Sequence, residues 1–107
     1  MFTQVNTGLY TCRGEGTRYR LTYGTIENDG LIPWTGWRLD CIEHVVSRKI
    51  AEFVTNTHGI SEESVRDYCS QHPQTENFVD TTMHEILARA GAMVKYYEYA
   101  NKVETTL

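Results

Sequence analysis

Residues 39–56 read LDCIEHVVSRKIAEFVTN, and the reading of this stretch decides the fold. Leu39, Ile42, Val46, Ile50 and Phe53 recur every three or four residues, the spacing that lines apolar side chains along one side of a helix. The spacing predicts a helix over about 39–56, with Gly59 after His58 as its natural stop. At about 100° per residue, Cys41 and His44 then fall opposite the apolar stripe, beside Arg48 and Glu52.

Downstream the helical signals continue. Ser61 is a suitable N-cap, Glu62 and Glu63 favour the first turn, and Ile60 and Val65 fit a hydrophobic staple across the cap. Pro73 closes this shorter helix. A long helix follows over about 80–102, with Asp80 as its cap and an apolar stripe of Val79, Met83, Ile86, Leu87, Ala90, Met93, Val94 and Tyr97. Gly91 inside it costs about 1 kcal/mol relative to alanine, which implies a close crossing or a bend.

Upstream the period is two. In TRYRLTYGTI, Tyr19, Leu21 and Tyr23 alternate with Arg18, Arg20 and Thr22. GLYTCR and the turn GEG complete a hairpin with it, the pair Asp29-Gly30 supplies a further turn, and LIPWTGWRL returns as a third strand that Pro33 confines to an edge or breaks. The expectation is an α+β fold: an N-terminal antiparallel hairpin or three-stranded meander followed by three helices packed on it. It forms a single domain over 1–107, β-rich at about 5–38 and helical at about 39–104.

The chain has 107 residues, 40% hydrophobic and 22% charged, which suits one globular domain with a modest core. Its formal charge of −4 argues against nonspecific nucleic-acid binding as the main function. The charge is uneven. Residues 1–38 carry Arg13, Arg18, Arg20 and Arg38 against Glu15, Glu27 and Asp29, whereas the remainder is acidic. No apolar run approaches the roughly 20 residues that span a bilayer. The start MFTQVNTGLY lacks the basic and apolar regions of a signal peptide, and three cysteines is an odd number for a disulfide framework. A cytoplasmic setting follows, in a cell of its own or in a host.

Two pairs raise the question of chemistry, Cys41 with His44 and Cys69 with His72. A shared zinc needs four converging ligands, but on these helices Cys41 and His44 face outward while Cys69 and His72 turn inward with Val65 and Tyr68. No metal and no cofactor is therefore expected. Cys41, in the first turn of the predicted helix and near Arg38 and His44, is the residue a small thiol enzyme would use. It is also the more reactive of the two thiols on this reading. Phosphate-loop, dinucleotide, nucleophile-elbow and metalloprotease motifs are all missing.

Two surfaces exceed the needs of a core. Arg18 and Arg20 share a strand face suited to an anionic partner. On the back of the long helix, Ala88 and Ala92 permit close approach and Tyr96 and Tyr99 offer rigid contact area. These six are the candidate partner-binding residues. The functional expectation is a small non-enzymatic inhibitor-like protein that occupies a surface of a macromolecule, a type common among accessory proteins of phages and mobile elements acting on host defence or transcription complexes. A protein partner leads and a homodimer is the second form. The lesser alternative is a nucleic-acid-binding regulator whose last two helices form a helix-turn-helix-like pair.

Overall fold

The computed structural model describes residues 1–26, 34–43 and 45–106, with side chains to 102. Six strands form one sheet in chain order: β1 (Thr3–Asn6), β2 (Leu9–Arg13), β3 (Arg18–Ile26), β4 (Trp34–Glu43), β5 (Val46–Asn56) and β6 (Thr75–Asn77). The first five run antiparallel to their neighbours, and β6 joins β5 in parallel after the crossover helix α1 (Glu62–Gln71). A long helix, α2 (Met83–Thr106), completes the described chain. The expected hairpin or meander carrying three helices is thus replaced by a mixed sheet with two helices.

The correction lies in residues 39–56, which form most of a long hairpin instead of a helix. Leu39 pairs with Ala51, Trp37 with Phe53 and Arg38 with Glu52, and the register runs on to Glu43 opposite Val46. The two-residue rhythm is hidden in β5. Register shifts there, between the pairs of Leu39 and Asp40 and between those of Thr35 and Gly36, each add a residue and reset the alternation. In addition, Ile50, Ala51, Glu52, Phe53 and Val54 are all buried, because the middle of this strand is covered on both sides.

The alternation expected in β3 is present and sets two faces. Tyr19 and Leu21 lie opposite Cys41 and Leu39 on the first face, where they pack with Phe53 against Ile86, Ala90 and Val94 of α2. Ile26, Trp34 and Val54 gather on the second face beneath Val65 of α1, with Ile60 and Tyr68 against them. The cap and staple of α1 form as expected: Ser61 Oγ accepts the Ser64 N–H at 3.3 Å. The start of α2 differs from expectation. Asp80 has φ of 62°, and Thr82 Oγ1 accepts the Glu85 N–H at 3.4 Å, so the helix begins after Thr82. Val79, assigned by its spacing to the α2 stripe, joins the cluster under α1. With α1 and α2 on opposite faces, the helix-turn-helix-like pair does not exist. The expected turn at Asp29-Gly30 and the break at Pro33 lie outside the described residues.

Candidate functional site

The inner side of α2 is fixed to the sheet at both ends. Arg89 forks onto the Glu76 carboxylate, with Nε 2.9 Å from Oε2, which ties the helix to β6. Near the other end, Glu98 Oε1 accepts the Glu15 N–H at 3.0 Å and the Tyr19 hydroxyl at 3.1 Å. Burial pushes the Tyr19 phenol well above its ordinary range, and the adjacent Glu98 charge and hydrogen bond push it further, so the ring remains a donor. The Tyr97 hydroxyl donates to Glu43 Oε1 at 3.3 Å, and its ring meets Tyr19 edge-on at 6.2 Å.

The outer side of the same helix carries four of the six candidate residues. Ala88 and Ala92 are exposed, and Tyr96 and Tyr99 keep 71% and 67% of their surface in water. Beside them lies a groove of about 420 Å³ lined by Met1, Phe2, Leu87, Ala88, Gly91 and Ala92. Gly91 is buried there, and a Cβ added to it would lie 3.4 Å from Met1 Sδ. That neighbour is the end of a flexible side chain at ordinary contact distance, so no close backbone crossing is seen at Gly91 among the described residues.

Arg18 and Arg20 lie on the sheet's second face, on the far side of the molecule from α2. Three strands place charge in register there. Arg20 is opposite Asp40, which is opposite Lys49, and in the next row Thr22, Arg38 and Glu52 align. Asp40, only 2% exposed, accepts Arg38 Nε at 2.9 Å, and Glu52 accepts Lys49 Nζ. Among the described residues Arg20 reaches Ser47 Oγ, at 3.4 Å. On β2, Arg13 stands directly opposite Arg18. Arg13, Arg38 and Lys49 belong to this surface; the helix reading of residues 39–56 concealed Lys49, while Arg38 falls on the expected third strand. Carrying the alternation of β3 into β4 would have revealed Arg38 and Asp40.

The cysteines exchange roles relative to expectation. Cys41 has no exposed surface and sits on the first face, its sulfur 3.4 Å from Thr17 Oγ1 and 3.7 Å from Glu43 Oε1. Cys69 is the half-buried one, carried by α1 itself and packed against the second-face cluster. The two thiols are therefore separated by the sheet, and His44 lies outside the described residues. His72 Nδ1 bonds the Tyr68 carbonyl at 2.9 Å and its ring stacks on Tyr68. Among the described residues no helix is long and apolar enough to cross a membrane. No protein-family model, curated protein or solved structure matches the chain.

Proposed function

We propose that this is a non-enzymatic binding protein that works by occupying a surface of a partner protein, with the outer face of α2 as the contact. One observation carries the reading: Tyr96 and Tyr99 are held 71% and 67% exposed on a helix whose opposite side is anchored at Glu76, Tyr19 and Glu15. Rigid aromatic rings with a polar tip, presented on a preorganised helix, are what interface centres are built from. The neighbouring Ala88 and Ala92 let a partner approach the backbone closely. An inhibitor made by a phage or mobile element, acting in the cytoplasm of a host, is the biological form that suits so small a binding protein; the support for it is analogy of type. Three free thiols, Cys12, Cys41 and Cys69, accord with a reducing compartment.

The test compares capture from host extract by the native chain and by a Tyr96→Ala/Tyr99→Ala variant, with and without nuclease. The expected result is a partner that survives nuclease and whose affinity falls by about 1–2 kcal/mol or more per ring removed. A partner held equally well by the variant removes the reading, and one that vanishes with nuclease replaces it with nucleic-acid binding. Light scattering on the pure protein shows whether the partner is a second copy.

A further inference from the structure

Arg13 and Arg18 are a directly opposed cross-strand pair of like charges. Both are exposed and neither has an ion pair among the described residues. Like charges in that relation destabilise a sheet, and an acid at either position would serve folding better. Arg20 follows two residues along β3 on the same face. The carboxylates of this face, Asp40 and Glu52, are already held by Arg38 and Lys49, so they do not compensate Arg13 or Arg18. Two depressions flank the row. One of about 290 Å³ is bordered by Arg13, Thr17, Arg18 and Ile42, and one of about 820 Å³ by Arg20, Arg38, Asp40 and Ser47.

We infer that this open half of the second face binds an extended, carboxylate-rich segment of a protein. Arginine forks grip carboxylates in two parallel hydrogen bonds, and an extended segment repeats its side chains every two residues, about 6.7 Å, the same repeat as Arg18 and Arg20 on their strand. A nucleic-acid strand shares the charge but fits less well. Base stacking needs a free ring, and on this face Trp34 packs on Tyr68 of α1, while Tyr23 and Trp37 pair with each other on the first face. A phosphate chain running on along this face would also reach α1, whose exposed side chains include Glu63 and Asp67. A short acidic run in a peptide ends before that wall.

The site is on the opposite side of the molecule from Tyr96 and Tyr99, so it stands or falls separately from the helix contact. The probe is a labelled peptide alternating glutamate and threonine, measured by fluorescence anisotropy with the full chain. Beside it run the same peptide with glutamine for glutamate and a single-stranded thymidine oligonucleotide of equal charge. The expected result is binding of the glutamate peptide that weakens with salt and drops at least about tenfold with the glutamine peptide. A similar drop is expected in an Arg13→Ala/Arg18→Ala variant whose thermal midpoint is unchanged or raised, because the substitutions relieve repulsion. Arg20→Gln is the second variant, with loss of binding expected where the double variant is poorly folded. Tyr96→Ala/Tyr99→Ala should bind the peptide as the native chain does. Equal binding of the two peptides, no binding of either, tighter binding of the oligonucleotide, or unaltered binding by the folded arginine variants overturns the inference.

Discussion

Gly24 and Gly36 face each other across β3 and β4, yet their surroundings differ completely. A Cβ at Gly24 would meet nothing within 4 Å, whereas one at Gly36 would fall 1.9 Å from the Phe53 carbonyl oxygen. That oxygen is backbone and cannot rotate away, so β4 and β5 would have to separate beside the bulge at Thr55. Gly36→Ala should therefore lower stability by about 2 kcal/mol or more, and Gly24→Ala should be neutral or slightly stabilising. Denaturant midpoints of the two variants check this, and equal midpoints would refute the close approach. The thiols give a second residue-scale test. In the native state Cys69, half-buried, should react with a thiol reagent before Cys12 and Cys41, which are buried. Burial pushes the Cys12 thiol up to about 11 from an ordinary 9.0, so the folded state keeps a proton that the unfolded state sheds. Its contribution to stability is complete below pH 9 and is lost as pH rises from 9 through 11. A Cys12→Ala variant should show a shallower alkaline decline of the unfolding midpoint than the native chain.

At the scale of elements, local signals were legible and long-range pairing was not. The alternation of β3 and the cap of α1 rest on neighbours in sequence, and both are present as expected. Residues 39–56 misled because their apolar positions answer to two different layers. Leu39 and Phe53 point to α2, Ile42 lies on the second face, Val46 is exposed and Ile50 sits in a bulge, yet together they imitate a helix stripe. The abundance of β-branched Val and Ile there is the strand signal that the spacing outweighed. The same error hid Asp40, Lys49 and Glu52, which reach the arginine surface only through the register of β4 and β5 with β3. The helix α2 offers the sharpest element-scale contrast. Ile86→Ala removes a side chain that is 2% exposed and packs on the sheet, and should cost about 2–5 kcal/mol. Tyr99→Ala, at 67% exposure, should cost within about 0.5 kcal/mol. Thermal or denaturant unfolding of both variants decides whether the outer face is free of structural duty.

For the molecule as a whole, one sheet supplies two cores. β4 carries Trp37 toward the first face, where it meets Tyr10 and Tyr23, and Trp34 toward the second, where it meets Tyr68 of α1 edge-on at 4.5 Å. β5 does the same with Phe53 and Val54, its next-door neighbours. Neither layer can therefore open fully without removing the support of the other, and the chain should unfold in one cooperative step. The two tryptophans make this measurable. In Trp37→Phe the remaining fluorescence reports the α1 layer, and in Trp34→Phe it reports the other face. Each variant should give a fluorescence midpoint that coincides with its own far-ultraviolet circular dichroism midpoint, even if the two variants differ from each other in stability. The opposing consideration is that α1 has only ten residues and Val65 as its one fully buried side chain. If the α1 layer melted locally, the Trp37→Phe signal would change at lower denaturant than the circular dichroism of the same protein. Such a split would mean that the crossover and the short β6 strand form a separable unit. Coincidence would instead tie the cores on both faces, and with them both candidate surfaces, to a single folding event through β4 and β5.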